Sequence, residues 1–271
     1  MACSRKFCPV ASLGALLLWS AAAQQPLPKV RVVLVGDSTV NDAGGWGPGF
    51  RSWFGANVEV VNLAKNGRSS KSFRSEGLWD PAVTGKPDYI LIQFGHNDGP
   101  GKGPDRETDP KTTFRENMTR YIEEARAAGA QPVLVTSIVR RVFGDDGKIK
   151  RDSLLPFVEV IRELAVAKSI PLVDLYSLTL AQAEKLGPDG CAEIDARLPD
   201  GKRDHTHLGP KGRHEIGVMA AQEFVKLVPA VRSYVADPGR PQENLDEATV
   251  PGCIRFDVCA GVVRAGVSRD H

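Results

Sequence analysis

Val30-Arg31-Val32-Val33-Leu34-Val35-Gly36-Asp37-Ser38-Thr39-Val40 is the stretch from which the fold can be read. An apolar, β-branched run interrupted only by Arg31 suits a parallel strand covered on both faces. Gly36 then permits a sharp exit and leaves Ser38 at the strand's carboxyl end. Similar short runs recur at 58–62, 89–93, 132–137 and 170–173.

Helical stretches lie between these runs. Asp109 can cap a helix with Pro110 in its first position and Gly129 at its end. Phe114, Met118, Tyr121, Ile122 and Ala125 follow helical spacing and are expected to face the sheet. A second helix is expected over 155–168, with Pro156 tolerable only in the opening turn. A third begins near Pro210, with Ile216, Met219, Ala220, Phe224 and Leu227 as its apolar stripe. Strand–helix alternation of this kind predicts an α/β fold, a single three-layer α/β/α sandwich around a mostly parallel sheet of about five strands. Ligands of such sheets sit at the carboxyl ends of the strands.

The flanks read differently. Arg5 and Lys6 precede a short apolar segment at 10–19, and Ala21-Ala22-Ala23 follows, the pattern of a secretory signal peptide over residues 1–23. The apolar run falls short of the roughly 20 residues that a spanning helix needs. Residues 24–235 make up the expected folded domain. Several prolines and glycines at 236–271 argue against regular structure in a C-terminal extension of unassigned role.

Composition excludes several classes. The chain has 271 residues, 42% hydrophobic and 25% charged, enough to bury a core without metal or disulfide staples. Lys and Arg number 35 against 33 Asp and Glu, so loss of Arg5 and Lys6 with the leader leaves a formally neutral protein. A nucleic-acid partner is therefore not expected. Cys3 and Cys8 leave with the leader as well. Cys191, Cys253 and Cys259 then allow at most one internal disulfide.

The chemistry-bearing residues follow the strands. Taken alone, Ser38 reads more simply as a helix cap, and no Gly-x-Ser-x-Gly elbow occurs in the chain. Gly67, after the second run, lets a backbone N–H approach a substrate, or is a plain turn glycine. Asn97, after the third, can aim its amide at a developing oxyanion, though in isolation an Asx-turn is the simpler account. His96 beside it reads as a solvated loop histidine.

Asp204 and His207, three residues apart, can meet in one turn, with the carboxylate holding one ring nitrogen and the other free to take a proton from a serine. Two histidines beside an aspartate also invite a metal reading. However, His96, His214 and His271 form no second ligand cluster at metal spacing. The glycines at 95–103 and 45–49 miss the phosphate-loop and dinucleotide patterns. Neither metal nor cofactor is expected. The sequon at Asn117 falls inside a predicted helix and carries little weight.

Four weak motifs in one order make a strong joint signal. Gly36-Asp37-Ser38, Gly67, Gly95-x-Asn97-Asp98 and Asp204-x-x-His207 resemble the four blocks of the SGNH (GDSL-like) hydrolase family. The surrounding residues, including 132–136, Arg140-Arg141 and Thr206, particularly resemble those of bacterial rhamnogalacturonan acetylesterases, with similarity over about 30–235.

The resemblance implies a secreted serine esterase acting on an acetylated polysaccharide, with no membrane partner after leader cleavage. It makes Ser38 the nucleophile, His207 the base and Asp204 its orienting carboxylate. Ser38, Gly67 and Asn97 form the oxyanion hole, and His96 and His205 have no catalytic part. An imidazole base must be neutral, so activity should fall in acid. Lys102, Arg106, Arg140 and Arg141, on polar loops at 99–108 and 140–152, are expected to rim the site and meet a pectic polymer's carboxylates, or simply to be solvated. Two other functions stay open at this level: an SGNH hydrolase of lipid, thioester or other acyl groups, and a glycan-binding protein with a silent site.

Overall fold

The structure is a computed structural model and describes residues 27–236 except 152. The expected leader, the extension beyond 236 and the pair Cys253 and Cys259 lie outside the described residues.

In chain order the first elements are β1 (Val30–Gly36), α1 (Gly47–Arg51), β2 (Val58–Asn62), α2 (Ser72–Ser75), α3 (Asp80–Thr84) and β3 (Tyr89–Gln93). A wide turn at Pro110–Phe114 leads into α4 (Arg115–Ala127), followed by β4 (Gln131–Val135), α5 (Leu155–Ala167) and β5 (Leu172–Val173). The last are α6 (Leu175–Ile194), β6 (Asp195–Arg197), β7 (Arg203–Leu208) and α7 (Pro210–Leu227). Strands β2-β1-β3-β4-β5 form one parallel sheet in that spatial order, and β6 and β7 pair antiparallel apart from it.

Alternation along β1 explains the layers. Val32 and Leu34 join Trp46, Phe50 and Phe224 on one face of the sheet. Val33 and Val35 join Phe94, Phe114, Tyr121 and Phe157 on the other. Both faces are covered, as the uninterrupted apolar run required. On the first face α1 and α7 cross so closely that a Cβ on Gly217 would lie 2.3 Å from the Trp46 carbonyl oxygen.

The helix expected after Asp109 forms as read. The Asp109 carboxylate accepts from the N–H groups of Lys111 and Thr112, and all five predicted apolar residues are buried. Gly129 closes it with φ 83°. Four expectations need adjustment. β4 stops at Val135 because Thr136 turns its hydroxyl to Asp174 and Ser137 to the Phe94 carbonyl. β5 starts at Leu172, since the Ile170 N–H bonds back to Ala165 and Pro171 has no N–H. Leu227 is 40% exposed, outside the buried face of α7. Helix α6 was not anticipated: Gly187 (φ 65°) and Pro188 break it, and that pair reads as loop punctuation.

Because β2 and β3 flank β1 on opposite sides, the chain reverses direction across the sheet beside β1. A crevice opens outside the carboxyl ends of strands at such a reversal.

Candidate active site

Ser38 leaves β1 at that reversal, and its turn is held on both sides. A Cβ at Gly36 would lie 2.7 Å from the Gln93 carbonyl oxygen, so only glycine fits the exit. The buried Asp37 carboxylate accepts from the N–H and hydroxyl of Thr39, each at 2.8 Å. Gln93 donates to the Thr39 hydroxyl and accepts from the Trp46 indole N–H at 2.9 Å. Burial pushes the Asp37 carboxyl up, against the Thr39 bonds and the nearby His207 and Arg140.

His207 arrives from the far end of the chain. Its Nε2 lies 2.8 Å from Ser38 Oγ, and its Nδ1 lies 2.6 Å from Asp204 Oδ2. A carboxylate oxygen only accepts, so Nδ1 carries the proton and Nε2 is left to accept from the Ser38 hydroxyl. Asp204 Oδ1 takes the N–H groups of Thr206 and His207 at 2.9 and 3.0 Å. Burial pushes the Asp204 carboxyl up, but these bonds outweigh it and hold the group below the ordinary carboxylate range. A chain of this kind can draw a proton from a hydroxyl and stabilise the imidazolium that forms.

Gly67 and Asn97 follow β2 and β3, the two neighbours of β1. Gly67 adopts φ 72°, a backbone that favours glycine. Asn97 is 7% exposed and gives one amide hydrogen to the Arg68 carbonyl at 3.2 Å. An amide nitrogen has two, so one donor is left over. Asp98 ties these two loops together. It accepts from the Ser70 hydroxyl at 2.6 Å, the Ser70 N–H at 3.0 Å and the Thr108 hydroxyl at 3.1 Å. Burial raises its carboxyl to about 7 in spite of those bonds. The five predicted site residues thus lie at one end of the sheet, three of them in the measured chain from Ser38 through His207 to Asp204.

Two expectations about nearby residues fail. His96 is not solvated but 4% exposed, and burial, then the charges of Arg140 and His207, push its imidazole well below the ordinary histidine range. Arg141 is not on the rim. It is 1% exposed, paired through Nε with Asp195, which also takes Arg203 at 2.8 Å. His205 turns away from His207 towards the same carboxylate, 3.7 Å from it. Nothing in the local sequence marks Asp195 or the burial of Arg141, because each is explained only by the other, 54 residues away.

Two of the other expected cations, Arg106 and Arg140, lie against the loops after β2 and β3. Arg106 is half-buried, with Nη1 3.5 Å from the Gly67 carbonyl oxygen. Arg140 directs Nη2 to the His96 carbonyl at 3.4 Å. Between the turn after β1 and the loop after β2 a hollow is lined by Asn41, Asp42, Asn62, Lys65, Asn66 and Arg68, with Ala43, Ala64 and Leu78 as its apolar side chains. Among the described residues, no helix is long and apolar enough to cross a membrane.

Serine, imidazole and carboxylate are thus linked at the carboxyl edge of this sheet. The GDSL-like lipase/acylhydrolase family matches residues 34–214, and the chain belongs to that family. Its resemblance to rhamnogalacturonan acetylesterases also holds beyond the short motifs. It is 35% identical over 215 residues to rhamnogalacturonan acetylesterase RhgT of Bacillus subtilis, covering 73% of this chain and 90% of that one. It is 30% identical over 236 residues to the rhamnogalacturonan acetylesterase of Emericella nidulans, covering 78% and 87%. Among solved structures, protein YXIM of Bacillus subtilis superposes with a TM-score of 0.61 at 25% identity, covering 74% of this chain and 58% of that one. A lipase/acylhydrolase from Enterococcus faecalis shares the fold, with a TM-score of 0.52 at 22% identity, covering 72% and 95%.

Proposed function

We propose that this protein is a secreted carbohydrate acetylesterase that removes acetyl groups from rhamnogalacturonan through an acyl-enzyme on Ser38. The observation that carries the reading is the Ser38 Oγ to His207 Nε2 approach of 2.8 Å, with Asp204 2.6 Å behind the ring.

In the first half-reaction Ser38 Oγ attacks the acetyl carbonyl carbon while its proton passes to His207 Nε2. The carbonyl oxygen becomes an oxyanion among the N–H groups of Ser38 and Gly67 and the unused amide hydrogen of Asn97. Collapse breaks the bond to the sugar oxygen, which leaves with the proton from His207. In the second, water attacks the acetyl-serine with His207 as base, and acetate departs as the Ser38 hydroxyl is restored. Asp204 keeps the ring in the tautomer both halves require.

The names of the two relatives support the substrate, and so does the site's polarity. Galacturonate makes the polymer acidic, and Arg106 stands beside Gly67 with no carboxylate in pairing distance among the described residues. A lipid acyl chain would find only Ala43, Ala64 and Leu78 as apolar partners in the neighbouring hollow, whose other lining residues are polar or charged. Acetate release from acetylated rhamnogalacturonan, absent in Ser38→Ala, is the expected result. Release from acetylated xylan at equal or greater efficiency would replace the substrate. Release undiminished in Ser38→Ala would remove the mechanism. Export rests on the leader at 1–23 and requires the mature protein to begin after Ala23.

A further inference from the structure

Strand β7 carries the base on an irregular piece of backbone. Its ladder to β6 pairs Leu208 with Asp195 and Asp204 with Ala196, with a register shift between. His205, Thr206 and His207 therefore have no residue opposite them on β6. A bulge of this kind re-aims side chains, and it also leaves backbone groups that a ladder would have satisfied. The N–H groups of Thr206 and His207 turn inward to Asp204. The carbonyls need donors from elsewhere.

Arg141 supplies two of them. Its backbone N–H donates to the His205 carbonyl at 2.8 Å. Its Nη2 donates to the His207 carbonyl, also at 2.8 Å. The same guanidinium binds Asp195 through Nε, and the second oxygen of Asp195 is held by Arg203 at 2.8 Å. Asp195 and Arg141 are 0% and 1% exposed at their side chains.

We infer that Arg141 is a positioning residue of the hydrolytic site: it grips the backbone on both sides of Thr206, and Asp195 holds the grip in place. The inference rests on the Ser38–His207 reading above.

Two physical points favour this role over plain stabilisation. A buried ion pair is a poor source of stability, because desolvation of both charges offsets their attraction. What such a pair provides here is a direction. The guanidinium is a rigid fork whose Nε and Nη2 reach Asp195 and the His207 carbonyl together, whereas a lysine ammonium on a flexible stem cannot reproduce that geometry. The constraint also acts where it matters, since the His207 ring must meet Ser38 and Asp204 at once.

The test uses the whole protein with p-nitrophenyl acetate, and a fluorophosphonate to titrate active sites. Arg141→Lys keeps the charge and loses the fork. The expected result is full eventual labelling of Ser38, a per-site kcat lower by roughly a hundredfold, as for a misplaced catalytic group, and KM nearly unchanged. A structural role alone gives fewer titratable sites, each turning over at the wild-type rate, and overturns the inference.

If Arg141→Lys does not fold, Arg141→Met with Asp195→Leu removes both buried charges at similar volume and is read the same way. A wild-type per-site rate in the double variant overturns the inference, as does failure of both variants to fold, which would make Arg141 a folding residue. The two readings fail separately. Wild-type protein that hydrolyses the ester with Ser38 unlabelled removes the reading beneath. Wild type labelled at Ser38, with Arg141→Lys unimpaired, removes only this one.

Discussion

Ser38, Gly67 and Asn97 hang from the carboxyl ends of β1, β2 and β3, three adjacent strands of one parallel sheet, whereas Asp204 and His207 ride on β7, outside that sheet. The first group inherits its spacing from strand register: Gly36 lies opposite Gln93, and the Lys65 N–H bonds to the Gly36 carbonyl. In the second group Asp204 pairs with Ala196 of β6, but His207 sits in the register shift with no strand partner. The group is held by the Leu208 N–H on Gly44, by the Arg141 grip and by its own Asp204 carboxylate. Sheet geometry thus places Ser38, Gly67 and Asn97, and separate tertiary contacts place Asp204 and His207. Substitutions far from the chemistry should therefore damage the second half more readily than the first.

The largest effects should come from the groups that join the halves. Ser38→Ala and His207→Ala are each expected to lower kcat by roughly 10⁴–10⁶, measured as acetate release, and the double variant by little more. Additive losses would mean that the two residues do not act as a unit. Within the first half, Asn97→Ala should lose about 3–4 kcal/mol of transition-state stabilisation, roughly 10²–10³ in kcat with little change in KM. A rise in KM alone would make Asn97 a binding residue.

Asp98 tests the first half through stability. Its folded carboxyl is raised to about 7, while an unfolded aspartate ionises near ~3.9. Below ~3.9 both states are protonated and the group's contribution is fully present. Between that point and about 7 the unfolded chain releases its proton first, so the contribution is lost as pH rises. Asparagine cannot ionise, and the melting temperature of Asp98→Asn relative to wild type should climb by a few degrees across this window. A difference independent of pH contradicts the raised carboxyl. The smallest effect expected is at Arg106. Arg106→Ala should cost about two- to fivefold in kcat/KM on the acidic polymer, the scale of a solvent-exposed ion pair. The loss should shrink with added salt and be absent on a neutral acetyl ester. An equal loss on both substrates would assign Arg106 to the Gly67 turn instead.

The same division governs what could be read from the sequence. The apolar run of β1 and the helix from Asp109 to Gly129 are local patterns with local causes, and both formed as expected. Helix α6 was hidden because Gly187 and Pro188 punctuate it. Strands β6 and β7 were hidden because Asp195-Ala196-Arg197 and Arg203-Asp204-His205 show no apolar alternation. The approach of Ser38 to His207, 169 residues apart, was foreseen from motif order and not from any local rule. The burial of Arg141 has no local sign, since arginines usually lie at the surface. Only the folded chain brings Asp195 to meet it.

Incubation of the wild-type protein with a fluorophosphonate, followed by mass spectrometry of its peptides, tests the central claim most directly. One adduct on the Ser38 peptide, formed in step with loss of esterase activity and greatly slowed in His207→Ala, is the predicted result. Full esterase activity with Ser38 unmodified, or labelling at an undiminished rate without His207, would contradict it.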